Sequence, residues 1–176
     1  MRINKNKGFS LLEILITIAI IVILSAIVLA YNGRLKEKTY LSRANIELKT
    51  FAYALKMYSF EHSGAYPADV NRDLPAGLEN YLSVAPNWPD APWSGSVYDW
   101  DNWTIDGQKI YQISVRFCPI GGPISACHFP DESWAENFDI NSAYYYCISG
   151  SCRSHQNEAI TYPGYCANCA VQPSNP

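Results

Sequence analysis

The sequence predicts an α+β protein, in which a long N-terminal α-helix packs on a small antiparallel β-sheet head stapled by disulfides. Three observations support this fold class. An apolar run from Phe9 to Ala30 leads into a helical spacing of apolar residues, strand-like segments follow in the second half, and six cysteines all lie beyond residue 117. We divide the chain into four segments, which are 1–8, 9–30, 31–62 and 63–176.

The run from Phe9 to Ala30 contains a single charged residue, Glu13. A helix of about 20 apolar residues spans the hydrocarbon core of a bilayer, so we expect residues 9–30 to cross a membrane. A carboxylate there costs about 2.5–3.5 kcal/mol unless a partner neutralises it. The run has no Lys, Arg or His, so the sequence predicts that the counter-ion comes from another molecule.

A short basic leader, residues 1–8, precedes the apolar run. Its cations are Arg2, Lys5 and Lys7. Positive charge holds such a segment on the cytoplasmic side. In a secretory signal the small residue of the cleavage site follows the apolar stretch, whereas here Gly8 comes before it. Cleavage after Gly8 would remove the charges, keep the apolar helix and leave a free amine on Phe9, about one helical turn from Glu13.

Residues 8–13 (GFSLLE) resemble the processing motif of type IV pilins and of the pseudopilins of type II secretion. The resemblance implies that a membrane aspartyl peptidase, the prepilin peptidase, cuts between Gly8 and Phe9 and methylates the new Phe9 amine. It also implies that Glu13 neutralises the Phe9 amine of a neighbouring subunit during assembly. Physical chemistry agrees, because in a low dielectric an opposing charge at close range offsets the cost of a buried carboxylate.

The helix is predicted to continue through residues 31–62. Apolar residues recur there at steps of three and four, which places them on one helix face. They are Ala44, Leu48, Phe51, Leu55 and Tyr58. Gly64 and Pro67 end the helix. This second, amphipathic half is expected to lay its apolar stripe on the globular head.

The segment after the helix is predicted to be mainly ordered loop. Five prolines between residues 67 and 92 exclude long regular elements from 65–96, apart from a short helix near 78–82. The residues Gly64-Ala65-Tyr66-Pro67 are similar to the stretch that follows the long helix in major pseudopilins and in related Gram-positive or deep-branching pilins.

Two strands are predicted in the head. Residues 109–117 (KIYQISVRF) alternate apolar and polar side chains, and 142–148 (SAYYYCI) are aromatic and prone to form a strand. The residues 148–151 (ISGS) are expected to form a hairpin turn after the second of them.

The cysteines predict a disulfide framework, since their number is even and the head is expected outside the cytoplasm. They are Cys118, Cys127, Cys147, Cys152, Cys166 and Cys169. Six cysteines allow 15 pairings, and the short spacings favour pairing of nearest neighbours. The CxxC of residues 166–169 is also compatible with a zinc site or a redox-active site. Zinc would need a second, similarly spaced pair, and a thioredoxin-type site would need CxxC at the start of a helix.

Acidic residues cluster at 99–106 and 131–139. Their spacing admits calcium ligation, but neither stretch fits an EF-hand loop, so we expect solvated loops and no metal or cofactor. Removal of the leader would change the net charge from −3 to −6, and such an acidic protein is not expected to bind nucleic acid.

The sequence therefore predicts a structural subunit of a type IV pilus-like filament, a homo-oligomer that is not an enzyme. We expect a single-pass protein of the cytoplasmic membrane that assembly machinery in that membrane moves into an extracellular filament. The histidines are scattered and suggest no catalytic triad. Three alternatives stay open: a type II secretion pseudopilin, a minor tip pilin with a ligand-binding head, and a membrane-tethered extracellular enzyme or redox protein.

Overall fold

The computed structural model describes residues 9–82, 87–156 and 163–172. The leader, residues 1–8, which includes Gly8, lies outside the described residues. The chain divides into two compact units, Met1–Lys38 and Thr39–Pro176. One helix, α1, runs from Leu11 to Glu61 and contributes to both units, and the strands belong to the second unit.

The described part of the first unit is helical from Leu11 onward. Its large apolar side chains are exposed as far as Ile27, and the exposed fraction is 85% at Phe9 and 50% at Ile14. The sequence predicts a membrane span at 9–30. Among the residues that the structure describes, no helix is found with both the length and the apolarity to cross a membrane.

In the second unit, the predicted apolar stripe of α1 is confirmed. Four of its members are buried, namely Ala44, Leu48, Phe51 and Leu55, and Tyr58 is half-buried. The helix ends at Glu61, where Ser63 takes a left-handed conformation with φ 57°. The Gly64 N–H donates to the Ser59 carbonyl at 2.8 Å, the bond typical of a Schellman ending. The chain thus leaves the helix beside the predicted Gly64–Pro67 stop.

The head contains a four-stranded sheet in the order β1-β2-β3-β4. The strands are β1 Val97–Ile105, β2 Gln108–Arg116, β3 Ala143–Ser149 and β4 Tyr165–Cys166. The first three are antiparallel, and β4 runs parallel to β3. The predicted α+β class is therefore correct. The two predicted strands appear with boundaries shifted by one residue.

Strand β1 was not predicted, and this is the main correction to the fold. Residues 99–106 were expected to be an acidic loop, but Asp99 and Asp101 occupy alternate positions of a strand whose other face carries Tyr98 and Trp100. Asp106 and Gly107, both at positive φ, form the two-residue turn between β1 and β2. An Asp-Gly turn between strand-forming residues is a strong hairpin signal, and it was missed.

The hairpin predicted at residues 148–151 is wrong. The chain does turn there, with Gly150 at φ 89° and the Cys152 N–H donating to the Gly150 carbonyl. The next strand within the described residues, β4, runs parallel to β3, so this turn does not join the two strands of an antiparallel hairpin. Short 3₁₀ helices occur at Leu78–Tyr81, as expected, and at Ile124–Ala126 and Ser133–Ala135.

One face of the sheet and the stripe of α1 form a single apolar core. The rings of Phe51 and Tyr98 meet edge to face with centroids 4.8 Å apart. The Tyr98 hydroxyl donates to Glu47, and the Tyr144 hydroxyl donates to Asn45 Oδ1 at 2.6 Å. Aromatic packing supplies apolar area, and these hydroxyls find polar partners on the helix. The helix and the sheet are thereby fixed to each other within the second unit.

Candidate functional site

The first candidate site is the beginning of α1, where Ser10 and Glu13 bond to each other reciprocally. The Ser10 N–H and hydroxyl donate to Glu13 Oε2 at 2.8 and 2.9 Å, and the Glu13 N–H donates to Ser10 Oγ at 3.2 Å. This arrangement is a capping box, with Ser10 as N-cap and Glu13 three residues into the helix. It satisfies two backbone donors that a helix N-terminus leaves without partners.

The capping box gives Glu13 a structural role that the sequence analysis did not identify. The signal was present, since Ser10 and Glu13 have the S-x-x-E spacing in front of an apolar run. All the bonds to the carboxylate end on Oε2, and the structure shows no bond to Oε1 from any residue it describes. The capping box itself thus engages one of the two carboxylate oxygens.

The surroundings of Glu13 are apolar and exposed. Phe9, Leu11 and Leu12 are exposed by 85%, 81% and 68%, and the large side chains that follow along the helix are also open. A soluble protein rarely exposes so large a continuous apolar surface, and such a surface normally marks contact with lipid or with another protein. The arrangement suits a helix that functions in an apolar environment.

A second candidate is a polar cavity of about 360 Å³ on the face of the sheet that points away from α1. Arg116 lies in its wall and is 6% exposed. The Arg116 guanidinium donates to Asp99 Oδ2 at 3.1 Å, to Asp101 Oδ1 at 3.0 Å and to the Ser154 carbonyl at 2.6 Å. It also donates to the Asn141 carbonyl at 3.2 Å, so its donors are engaged within the chain.

The electrostatics of this cavity follow from burial. Burial raises the pKa of Asp101 to about 7, and the positive charge of Arg116 opposes the rise. Burial, followed by the charge of Asp99, also raises the pKa of Asp69. Gln112 and Ser114 donate to Asp101 Oδ2 at 2.9 and 3.1 Å. The buried charges thus have partners within the protein, as stability requires.

The same network holds the segment after Cys152 on the sheet. Gln112 accepts from the Arg153 N–H at 3.0 Å and donates to the Arg153 carbonyl at 2.7 Å. Arg116 binds the next carbonyl, that of Ser154. Two of the acidic residues expected to lie in a loop, Asp99 and Asp101, therefore belong to a structural clamp between β1, β2 and residues 153–154.

The metal-binding alternatives find no support in the part of the chain that the structure describes. No group of three or more His, Cys, Asp or Glu side chains there has the geometry to hold a metal ion. The second acidic stretch, 131–139, is a loop with a short 3₁₀ helix, in which Asp139 Oδ1 accepts from the Asn141 N–H and the Ser142 hydroxyl.

The six cysteines form three disulfides: Cys118–Cys127, Cys147–Cys152 and Cys166–Cys169. These are the nearest-neighbour pairs that the spacings favoured. Every cysteine is described, and none is a free thiol. The CxxC thus lies in a disulfide, and Asn168 between its cysteines exchanges two 2.8 Å bonds with the backbone of Cys147.

Comparison with known proteins agrees with the N-terminal site. Residues 3–29 match the family model of the prokaryotic N-terminal methylation motif. Searches of curated proteins and of solved structures find no match to the chain. The matched segment contains Gly8, Phe9 and the Ser10–Glu13 capping box, and its large apolar side chains from Phe9 to Ile27 are exposed. The chain carries the N-terminal methylation signal of type IV prepilin-like proteins.

Proposed function

We propose that this protein is a structural subunit of a type IV pilus-like filament. The observation that carries the proposal is the methylation motif at residues 3–29, with Glu13 at the start of an exposed apolar helix. The motif indicates a substrate of prepilin peptidase that joins a pilus or secretion assembly. It points to a structural protein, held at the membrane as a precursor.

Processing is the first step of the proposal. The peptidase hydrolyses the bond between Gly8 and Phe9, which releases the basic leader and leaves an amine on Phe9 that is then methylated. The capping box survives this cut, because the Ser10 N–H and hydroxyl both belong to the mature chain. The mature helix therefore keeps its cap, and the positively charged amine of Phe9 lies one residue before the N-cap residue Ser10.

Assembly is the second step. Apolar side chains between Phe9 and Ile27 leave the membrane environment for contacts with the same helices of other copies. The positive charge on the Phe9 amine of one copy pairs with the Glu13 carboxylate of its neighbour, using the oxygen that the capping box leaves open. An ion pair in low dielectric is strong, and a carboxylate without its partner there is costly. The pairing thus favours correctly aligned copies.

The proposal is tested by shearing filaments from cells and measuring the mass of their repeating subunit. We expect fibres visible by electron microscopy that contain this chain, beginning at a methylated Phe9. A Gly8→Leu variant should keep its leader and give no fibres, whereas a Gly33→Ala control should be processed normally. Fibres that lack this chain, or a Gly8→Leu protein with the mature mass, would overturn the proposal.

A pseudopilin of type II secretion is the second candidate. It is favoured by the Gly64-Ala65-Tyr66-Pro67 stretch, in which Tyr66 packs against Trp100 and Tyr111 with centroids 5.8 and 4.3 Å away. Both candidates share the same processing and the same helix packing. The length of the fibres on intact cells distinguishes them, because a secretion pseudopilus does not extend as a long surface filament.

A further inference from the structure

The polar cavity on the outer face of the sheet has the size of a small-molecule site. Its volume is about 360 Å³, and such sites occupy roughly 300–1,000 Å³. The buried part of its wall consists of Asp99, Asp101 and Arg116, whose charges have partners within the chain. Recognition of a ligand therefore depends on the other groups of the wall.

Three side-chain amides of the described wall are open to a ligand, and they belong to Asn71, Asn141 and Gln156. Within residues 9–82, 87–156 and 163–172, none of these amides makes a hydrogen bond, although the backbone N–H and carbonyl of Asn141 both do. Asn71 and Gln156 are exposed, and Asn141 is half-buried. Each amide has two N–H donors and a carbonyl acceptor, so the wall presents neutral groups that both donate and accept.

Two charged side chains of the wall, those of Asp69 and Arg72, form no ion pair in the part of the chain that the structure describes. Asp69 accepts from the Asn102 N–H and from the Trp103 side chain. The Arg72 guanidinium donates through Nη1 to the Cys118 carbonyl. Burial raises the pKa of Asp69, and burial lowers the pKa of Arg72. Each charge is thus incompletely compensated, and the polar groups of a ligand would stabilise both.

The segments that carry these open groups are fixed to the sheet on both sides of the cavity. On one side, the Arg72 N–H donates to Asp99 Oδ1 at 2.7 Å. On the other side, the structural clamp holds residues 153–154, which come directly before the wall residues 155–156. A preformed wall orders little chain when a ligand binds, and this favours affinity.

The charges of the wall restrict the kind of ligand. Asp69, Asp99 and Asp101 oppose the entry of an anion, and no group of the described residues has the geometry to hold a metal ion. Arg72 and Arg116 oppose the entry of an organic cation. A neutral molecule avoids both repulsions. Hydroxyl groups fit best, because each can donate to a carboxylate or amide carbonyl and accept from a guanidinium or amide N–H.

We propose that this cavity binds a neutral sugar unit of a glycan. The inference goes beyond the proposed function, because it concerns the head and does not depend on how the N-terminal helices assemble. The sugar hydroxyls bond to Asp69, to Arg72 and to the three amides, and half-buried Ile140 contacts the C–H face of the ring. A site of this kind strongly disfavours an analogue that lacks the hydroxyls.

The first test measures binding by the full chain in lauryldimethylamine oxide, a detergent whose headgroup is not a sugar. The protein is applied to a printed array of glycans that end in glucose, galactose, mannose, N-acetylglucosamine, sulfated galactose or sialic acid. We expect at least one neutral terminal sugar to bind, and the sulfated and sialylated glycans to bind about tenfold or more weakly. Isothermal titration then compares the best free sugar with glycine and with inorganic phosphate.

The second test locates the site with variants. Asn71→Ala/Gln156→Ala removes two open amides, and we expect the sugar affinity to fall about tenfold. Its melting temperature should equal that of the wild type, because neither amide has a hydrogen bond to lose. Asp69→Asn keeps the shape of the side chain without its charge and should also weaken binding. Asn137→Ala is the matched control, since Asn137 is an exposed amide outside the cavity, and its affinity should be unchanged.

The outcomes decide the sugar site separately from filament formation. Sugar binding that weakens in Asn71→Ala/Gln156→Ala or in Asp69→Asn, but not in Asn137→Ala, supports the proposal, and the yield of sheared filaments should stay the same in all three variants. Failure of every neutral glycan on the array, tighter binding of glycine or phosphate than of any sugar, or wild-type sugar affinity in the cavity variants that fold would overturn it. Either cavity variant suffices if the other does not accumulate.

Discussion

At the scale of single residues, the proposed function gives Glu13 two roles that use different parts of its carboxylate. Ser10 binds Oε2 and completes a capping box, and in the proposed pairing the other oxygen binds the amine of a neighbour. Capping needs a side-chain acceptor three positions after the N-cap, whereas the proposed pairing needs its negative charge. Capping and intersubunit pairing can therefore be separated by changing Ser10 and Glu13 one at a time.

We predict that Glu13→Ala leaves the protein processed and in the membrane but reduces filaments sharply, because the neighbour's amine loses its counter-ion. Ser10→Ala removes only the cap, which costs about 1 kcal/mol, and filaments should still form. Filament yield by shearing, together with the mass of the processed chain, measures both effects. Equal filament loss in the two variants would mean that capping alone explains the requirement for Glu13.

A second prediction at this scale concerns alkaline pH. Burial raises the pKa of Tyr144 and of Tyr145 to about 12. In the unfolded chain tyrosine ionises near pH 10, so the stability these groups contribute is complete below about pH 10 and is lost as pH rises through about 12. The free energy of unfolding should therefore fall across that window, by of order 1–2 kcal/mol for each tyrosine.

Tyr145→Phe tests the alkaline prediction, because among the described residues the Tyr145 hydroxyl makes one bond, a long one of 3.5 Å to the Cys152 carbonyl. The variant should match the wild type at neutral pH and lose less stability between pH 10 and 12. Tyr53→Phe, at an exposed position, is the control and should follow the wild-type curve. Identical pH profiles for Tyr145→Phe and wild type would contradict the burial argument.

At the scale of structural elements, the sheet is unusual because its two faces are buried by different chemistry. One face packs on α1 through apolar and aromatic side chains, whereas the other buries Asp99, Asp101, Gln112, Ser114 and Arg116. That polar layer joins β1 and β2 to residues 153–154 through charged and amide bonds. Residues 153–154, which follow the Cys147–Cys152 disulfide, are thus attached to the sheet by polar contacts.

We predict that Arg116→Ala strongly destabilises the head. It leaves Asp99 and Asp101 buried without their cation, and breaking such a pair costs about 3–5 kcal/mol. Arg153→Ala is the control and should have little effect, because the Arg153 side chain donates to the Ser151 carbonyl rather than to a buried carboxylate. Thermal unfolding of the full chain in detergent, followed by tryptophan fluorescence, measures the difference. Similar melting temperatures for both variants would show that the clamp is not needed for stability.

Some structural elements could be predicted from the sequence and others could not. The stripe from Ala44 to Leu55 was predictable, since a helix buried on one side leaves a regular spacing. β1 was missed because its buried Asp residues look like a solvated loop until Arg116, a distant residue in sequence, is known to neutralise them. β4 has two residues and a parallel partner, so its pairing has no local pattern.

The same contrast holds for the candidate site. Residues 8–13 were interpretable because the processing motif and the S-x-x-E cap are both defined by neighbours in sequence. The polar cavity was not, because Asp101, Arg116 and Asn141 in its wall come from distant parts of the sequence.

At the scale of the whole molecule, exposed apolar surface is concentrated in the first unit, and the second unit has its own buried core. We therefore predict that a chain beginning at Thr39 is soluble and monomeric, whereas the full chain requires detergent. Size-exclusion chromatography with light scattering measures both states. A head that forms filaments by itself would show that head contacts, rather than the N-terminal helix, drive assembly, and it would contradict this prediction.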